Sequence, residues 1–430
     1  MRAGGAGFSA DGAYFLTGWR ESGKIQSLDA LSPSVLVNPM LRFETAGESH
    51  GQALVAILSG LPAGLRVDTA YVNRELQRRQ GGYGRGGRMK IESDHAEFLS
   101  GVRHGKTVGS PITVQIANRD WENWKEAMAV EDRPESRAKY KPLSPPRPGH
   151  ADLAGCLKYN FPDARYVLER ASARETAARV AVGALAKLFL KEFGVEVASH
   201  VVALGEVALA QEGVPFEKVL ALRERDDILL NCVDPVIEER MKQEVDRATE
   251  NRDTVGGTFE VIAHGVPPGL GSYAQWDERL DGQLAQAVMS IQAVKAVEIG
   301  SGIGNAARPG SQVHDEIGYR RETSRFTRRT NRAGGLEGGI TNGEDVIVRG
   351  YLKPISTLRR PLESVDLATK ESVKAAYERS DICVVPAAGV AGEAMVALTL
   401  ARAFLEKFGG DSLEETRRNY EGYREQVRRF

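Results

Sequence analysis

The stretch RFETAGESHGQAL, residues 42–54, places a carboxylate, a hydroxyl and an imidazole side by side at Glu48, Ser49 and His50. A glycine stands on either side of these three residues, and glycine lets the backbone come close to a bound ligand. Imidazole exchanges protons near neutral pH, so a histidine in such a turn is typical of acid–base chemistry. The apolar residues that follow the turn predict a helix.

A second histidine, His150, has a similar setting in the segment RPGHAD, where a glycine precedes it and Asp152 follows closely. None of the seven histidines shows the H-x-x-x-H spacing of a helical metal site. We therefore predict acid–base roles for His50 and His150, and no metal site.

Positive charge is concentrated in two segments, although the net charge of the whole chain is only -1. Residues 66–90 and residues 320–332 each carry an excess of five positive charges, mostly from arginine. The arginine fork binds phosphate and carboxylate groups through paired hydrogen bonds. A polyanionic small molecule is the favoured ligand, with solvated loops and nucleic acid as alternatives. Few aromatic residues lie between the arginines, whereas single-stranded nucleic acid favours them.

Length and composition are those of an ordinary globular protein. The chain has 430 residues, of which 42% are hydrophobic and 27% charged. The sequence has no run of about 18 apolar residues, so no membrane span is predicted. The three cysteines, Cys156, Cys232 and Cys383, are far apart and odd in number, which indicates buried thiols in a reducing compartment. Residues 1–39 are rich in Gly, Ala and Ser without sustained periodicity, so we expect a poorly ordered extension before a catalytic domain at 40–430.

Two strong helices and several strands are predicted within this domain. One helix covers Ala173–Phe193, with a capping box formed by Ser172 and Glu175. The other covers Glu393–Phe408 and ends at a pair of glycines. Both are apolar on most faces, which indicates central helices. Segments 111–118 and 344–352 are rich in Val and Ile and are predicted to be strands.

The chain also shows a weak internal repeat. The segment ILSGLPAGLRVD at residue 57 resembles VIAHGVPPGLGS at residue 261, with an offset of 205 when Gly60 is aligned with Gly265. The segments AKLFLKEFG and ARAFLEKFG align in the same order at an offset of 215. We expect one domain of two similar halves related by a pseudo-twofold axis, with chance similarity as the alternative.

Six segments in order give the chain a family resemblance. They are GESHG at 47–51, RPGHAD at 147–152, ERASARETAARVA at 169–181, MSIQAVKAVEIGSG at 289–302, GGLEGGITNG at 334–343 and RSDICVVPAAGVAGEAM at 379–395. From about Met40 to about Leu405 the chain resembles the chorismate synthase family. The N-terminal extension departs from the family pattern.

The resemblance implies a fold, a reaction and partners. The fold would be α+β, a single-domain sandwich of antiparallel β-sheets around long central helices. The reaction would be the 1,4-elimination of phosphate from 5-enolpyruvylshikimate-3-phosphate, giving chorismate in the last common step of the shikimate pathway. Reduced FMN would be required, with NADPH as a candidate reductant. A cytoplasmic homotetramer is implied, with neither nucleic acid nor a membrane as a partner.

The resemblance also assigns roles to single residues. His50 would lie near the leaving phosphate, with Ser49 beside it. His150 would protonate the reduced flavin near N1, and Asp381 would relay the proton from flavin N5. Substrate contacts would come from Arg79, Arg85 and Arg147, the first two also serving an NADP site. The FMN shell would comprise Arg170, Ala171, Ser172, Gln292, Ala293, Gly338, Lys353, Pro354, Ile355, Ser356, Thr357 and Arg379.

Two other classes of function stay open on the residues alone. An anion- or RNA-binding module built on the arginine loops would bind in a strongly salt-dependent way, with or without flavin. A metal-dependent hydrolase using His50 and His150 would lose activity with a chelator.

Overall fold

The computed structural model describes residues 41–86, 93–132, 140, 142–210, 213–225, 229–377 and 381–430. The predicted extension at 1–39 and the predicted FMN ligand Arg379 lie outside these residues. The strands are β1 Arg42–Ala46, β2 Ala53–Ser59, β3 Glu97–Phe98, β4 Val102–Arg103, β5 Lys106–Thr107, β6 Ile112–Ala117, β7 Glu196–Leu204, β8 Val207–Ala208, β9 Gly257–His264, β10 Val294–Ile299, β11 Ile317–Arg320, β12 Arg325–Arg328, β13 Leu336–Glu337, β14 Ile340–Thr341, β15 Val346–Leu352, β16 Glu363–Val365 and β17 Ser372–Lys374. The α-helices are α1 Thr69–Gln80, α2 Trp121–Trp124, α3 Asp152–Tyr159, α4 Arg165–Ala171, α5 Thr176–Lys191, α6 Phe216–Ala221, α7 Pro235–Glu250, α8 Leu280–Met289, α9 Gly302–Asn305, α10 Val385–Phe408 and α11 Leu413–Arg429.

The residues after GESHG form strand β2, so the helix predicted there is wrong. Leu54, Ala56 and Leu58 are buried, while the residues between them are more exposed. This alternation has the period of a strand, in which successive side chains point to opposite faces. The strand is followed by Gly60, whose φ of 94° lies in the left-handed region.

Two antiparallel sheets form the main β-structure of the described chain. One has the strand order β1-β2-β6-β3, and the other has the order β10-β15-β9-β7-β8. Helix α5 packs on β2 and β6, helix α10 packs on β7 and β9, and the two helices pack on each other. A Cβ atom added to Gly183 of α5 would lie 2.3 Å from the Cβ of Ala394 on α10, so this glycine permits the close approach of the helices. The mixture of helices and sheets is confirmed.

The two central helices begin at other residues than those predicted. Residues Ala173–Glu175 form a 3-10 turn, and the α-helix begins at Thr176. The predicted capping box is wrong, because the Glu175 carboxylate is bound by Arg179 at 2.8 Å, while the Ser172 hydroxyl accepts from the amide of Arg174 at 3.3 Å. Helix α10 begins at Val385, earlier than predicted, with Pro386 in its first turn, where the missing N–H of proline costs nothing.

The order of elements is the same in both sheets. The first sheet runs β1-β2-β6-β3, and the matching strands of the second run β7-β9-β15-β10. In chain order, helices α1 and α8 follow the second strand of each set, β2 and β9. Helices α5 and α10 come after the last strand of each set in the chain, β6 and β15. This order agrees with the repeat seen in the sequence; a twofold rotation between the halves stays a prediction.

Helix α10 is long and apolar enough to cross a membrane by length and composition, although no such run was expected. Of its most apolar window, 89% is buried inside the protein, as is typical of a core helix. The three cysteines are buried and unpaired, as predicted.

Candidate functional site

A cavity of about 850 Å³ opens between the ends of the central helices and the loops around them. This volume is in the range of small-molecule and cofactor sites. The GESHG turn, the end of α1, the loop before α3, the α4–α5 junction and the loop after β15 all contribute to its wall. Fifteen of the predicted site residues line it: Ser49, His50, Arg79, Arg85, Arg147, His150, Ala171, Ser172, Gln292, Ala293, Lys353, Ile355, Ser356, Thr357 and Asp381.

Three described residues of the predicted FMN shell are not among those that line the cavity. Arg170 points the other way and donates to the carbonyl oxygen of Thr45 at 2.8 Å, at the edge of a second cleft. Gly338 lies in the turn between β13 and β14. Pro354 follows the lining residue Lys353 in the chain without lining the cavity itself.

The two arginine-rich segments lie in different places. Arg79 and Arg85 of the first segment line the cavity. The second lies on and around the β11–β12 hairpin, where Arg320, Arg321 and Arg325 are exposed, and it does not line the cavity. Among the described residues of the two segments, those that line this cavity belong to the first.

His50 is held by the buried carboxylate of Glu169. The His50 Nδ1 atom lies 2.9 Å from Glu169 Oε1, and the His50 backbone amide donates to Oε2 at 2.8 Å. The imidazole ring stacks on Trp124 with 4.0 Å between centroids. The neighbouring Glu48 is exposed, and the carboxylate that contacts the His50 ring is that of Glu169.

The charge of Glu169 is compensated inside the protein. Burial alone would raise its pKa, but hydrogen bonds and charge from His50 and Arg165 lower the pKa below the usual value for glutamate. Arg165 donates to Glu169 at 3.0 Å, and its guanidinium also lies over the Trp124 ring. Sequence reasoning missed the roles of Glu169 and Trp124. Glu169 stands first in the quoted segment ERASARETAARVA, so it could have been considered.

His150 is held in the same way, by Asp152. Its Nδ1 atom lies 2.5 Å from Asp152 Oδ1, and Asp152 is fully buried. Burial would raise the pKa of Asp152, but His150 and Arg147 together lower it well below the usual range. Arg147 donates hydrogen bonds to Asp152 at 2.8 Å and to Thr357 at 2.9 Å. Much of the Arg147 guanidinium is therefore used to hold the Asp152 carboxylate that binds His150. The predicted substrate contact by Arg147 stays a prediction.

Arg79 is a buried cation with too little compensation. Its nearest carboxylate oxygen, on Asp94, lies 3.6 Å from Nη1, and Nη1 has no hydrogen-bond partner. Burial lowers the pKa of Arg79 to about 10, with Asp94 opposing this shift and Arg174 and Arg85 adding to it. An anion bound in the cavity would supply the missing negative charge.

Asp381 closes the same side of the cavity. Its Oδ2 atom lies 2.8 Å from Nη1 of Arg85, and its Oδ1 atom accepts from the Gly86 amide at 2.6 Å. A carboxylate and a guanidinium are therefore both presented beside Arg79.

Another part of the cavity wall is less charged. Alanines of α10 line it, together with Ile291 and the polar residue Gln292, whose Oε1 atom is buried without a partner. Ala293 has a φ of 69°, which is costly for a residue with a Cβ and is typical of functional sites. Lys353 donates to the Gly149 carbonyl oxygen at 2.6 Å, and burial together with Lys295 lowers the pKa of Lys353.

This combination defines a class of protein. Two histidines bound to buried carboxylates, buried arginines and a partly apolar wall are suited to acid–base catalysis on an anionic small molecule.

Comparisons with known proteins make the class specific. The family model for chorismate synthase matches residues 41–405. A chorismate synthase of Koribacter versatilis is 65% identical over 395 residues, covering 91% of this chain and 100% of the relative. One of Geobacter sulfurreducens is 57% identical over 397 residues, again covering 91% of this chain and 100% of the relative. A crystal structure of chorismate synthase superposes with a TM-score of 0.72 at 44% identity, covering 91% of this chain and 99% of that one.

The chain therefore belongs to the chorismate synthase family. It is a lyase of that type.

Proposed function

We propose that the chain catalyses the FMN-dependent 1,4-elimination that converts 5-enolpyruvylshikimate-3-phosphate to chorismate and phosphate. The observation that carries this proposal is the pairing, in one cavity, of two carboxylate-held histidines with the under-compensated cation Arg79. The substrate carries a phosphate and two carboxylates, and FMN adds a phosphate. Such ligands match the buried arginines in charge.

The residues of the less charged wall fit a flavin. Gln292 Oε1 is a buried acceptor without a partner and can accept from a ring N–H group. Small side chains at Ala387, Ala388 and Ala391 leave room for a flat ring system. Reduced FMN, when bound, supplies electron density that helps phosphate to leave, with no net redox change. NADPH, as a candidate reductant, would use the anion site at Arg79 and Arg85.

On the arginine side, the protein binds and polarises the substrate. Arg79 and Arg85 would hold phosphate or carboxylate oxygens, and the new ion pair would relieve the charge imbalance at Arg79. His50 would donate a proton to the departing phosphate, since protonation makes phosphate a better leaving group. Ser49, whose hydroxyl lies 3.1 Å from that of Ser172, would contribute a further hydrogen bond.

On the flavin side, the protein holds and moves protons. Asp152 fixes His150 at 2.5 Å, so that the other ring nitrogen would face the FMN ring near N1. Beside Arg79, Asp381 would accept the proton that the substrate ring loses, and Arg85 stabilises the carboxylate before that step. The segment 353–357 would lie beside the cofactor, and Lys353 would compensate its negative charge.

We also propose a cytoplasmic homotetramer whose subunits have a pseudo-twofold axis between their halves. The family resemblance supports the assembly and location. The shared order of strands and helices supports the axis.

The test is an anaerobic assay of purified protein with substrate and FMN. Chorismate should form with reduced FMN and not with oxidised FMN, and a chelator should make no difference. Equal turnover with either form of the flavin would refute the mechanism, and loss of activity with the chelator would favour a metal-dependent hydrolase.

A further inference from the structure

The Glu169 carboxylate contacts His50 through both of its oxygen atoms. It is 3% exposed and accepts hydrogen bonds from both the backbone and the ring of His50, at 2.8 Å and 2.9 Å. Arg165 also donates to this carboxylate, at 3.0 Å, and compensates its charge. Glu169 itself does not line the cavity, although His50 does.

An ionised carboxylate can only accept hydrogen bonds, so the atom facing it must carry a proton. The Nδ1 atom of His50 therefore donates to Glu169, and Nε2 is the nitrogen that exchanges a proton with a ligand. The ring plane is fixed separately: Trp124 stacks on the imidazole at an interplanar angle of 26°, and Asp120 anchors the Trp124 ring nitrogen at 3.0 Å.

We propose that Glu169 is a positioning residue, which acts on the reaction through His50 by fixing its Nδ1–H tautomer. The inference rests on the proposed function, because it assigns the proton donor to His50 Nε2. Removing Glu169 while keeping its shape leaves His50 in place and frees the ring to adopt the other tautomer. Turnover should fall while substrate and flavin still bind.

The test is a double-mutant cycle in the anaerobic assay. Glu169→Gln should lower kcat about 10- to 100-fold, part of the contribution of a positioned acid, with KM changed less than about threefold. In the His50→Ala background, the same substitution should change kcat less than about twofold, because the residue through which Glu169 acts is already gone. Glu48→Gln is the matched control, since Glu48 is exposed and stands two residues from His50; its kcat should equal that of the wild type.

An equal loss of kcat on Glu169→Gln in both backgrounds would overturn the proposal, because a purely structural residue acts independently of His50. Normal turnover of the single variant would overturn it as well. If Glu169→Gln does not fold, Glu169→Asp provides the same cycle with the carboxylate kept, and should retain more of the turnover than Glu169→Ala.

A second measurement does not depend on the proposed reaction. In protein labelled with ¹⁵N-histidine, the signal that His50→Ala removes should report a proton on Nδ1 in the wild type. Glu169→Gln should abolish that preference. An unchanged signal would contradict the role of Glu169, whereas a wild type that makes no chorismate would contradict the proposed function alone.

Discussion

Two adjacent arginines of helix α1 should respond in opposite ways to the same substitution. Arg78 and Arg79 are both largely buried, at 12% and 4% side-chain exposure. Arg79 is short of negative charge, whereas Arg78 binds Glu393 at 2.7 Å and Glu75 at 3.0 Å. We predict that Arg79→Met stabilises the ligand-free protein and that Arg78→Met destabilises it.

The magnitude for Arg79 follows from its pKa. A fall from 12.5 to about 10 means that burial makes the charged form costly in the folded state, by about 3 kcal/mol at neutral pH. Against this stand the hydrogen bonds to Thr176 at 3.1 Å and to the Arg174 carbonyl oxygen at 3.4 Å. These are worth about 1 kcal/mol each. The net expectation is a gain of about 1 kcal/mol in the free energy of unfolding.

For Arg78 the sign is reversed. Burial would lower its pKa, but Glu393 and Glu75 raise it above the usual value, so the charged form is favoured in the folded state. Arg78→Met leaves the fully buried Glu393 with fewer cations and should cost about 3 kcal/mol.

The assay is urea unfolding of both variants and the wild type without ligand, at one protein concentration, since assembly affects apparent stability. Arg79→Met should also raise the KM for the enolpyruvyl substrate at least tenfold. A ligand-free Arg79→Met protein that is less stable than the wild type by 2 kcal/mol or more would refute the reasoning that Arg79 lacks a compensating anion when no ligand is bound.

Three further predictions follow from the site and the sequence. The pKa values of Asp152 and Glu169 lie below their ordinary values, so below pH about 4 the unfolded chain binds more protons and stability falls; Asp152→Asn should flatten that acid limb in urea titrations, and an unchanged limb would contradict the role of Asp152. His150→Ala should change the absorbance of bound reduced flavin, with little effect on the KM for substrate; an unaltered spectrum would move the flavin contact elsewhere. Deleting residues 1–39, predicted to be poorly ordered, should leave kcat and Tm nearly unchanged, and a fall of many degrees in Tm would show that this segment packs on the domain.

Much of the cavity lining could be predicted because its residues stand in short, ordered segments, while the roles of these residues stay predictions. One cavity is lined by residues that are distant in sequence: His50, His150, Asp381 and four residues of the loop 353–357, all but Pro354. The positions of the central helices were also predicted, since their apolar faces are long. Their starts were not, because Glu175 pairs with Arg179 instead of capping the helix.

The residues that sequence reasoning missed act through contacts that no local pattern reveals. Glu169 lies 119 positions from His50, whereas Glu48 stands only two positions from it. The strand at Ala53–Ser59 was predicted as a helix because a short apolar run fits either period. Tertiary packing against α5 decides between the two.

The central claim is that phosphate leaves by elimination, and one measurement addresses it directly. Protein, reduced FMN and the enolpyruvyl substrate are mixed without oxygen, and chorismate and inorganic phosphate are both quantified in the same sample. The account predicts one chorismate for each phosphate released, with neither product when FMN is oxidised. Phosphate released without chorismate would contradict it, because a hydrolase would then explain the site.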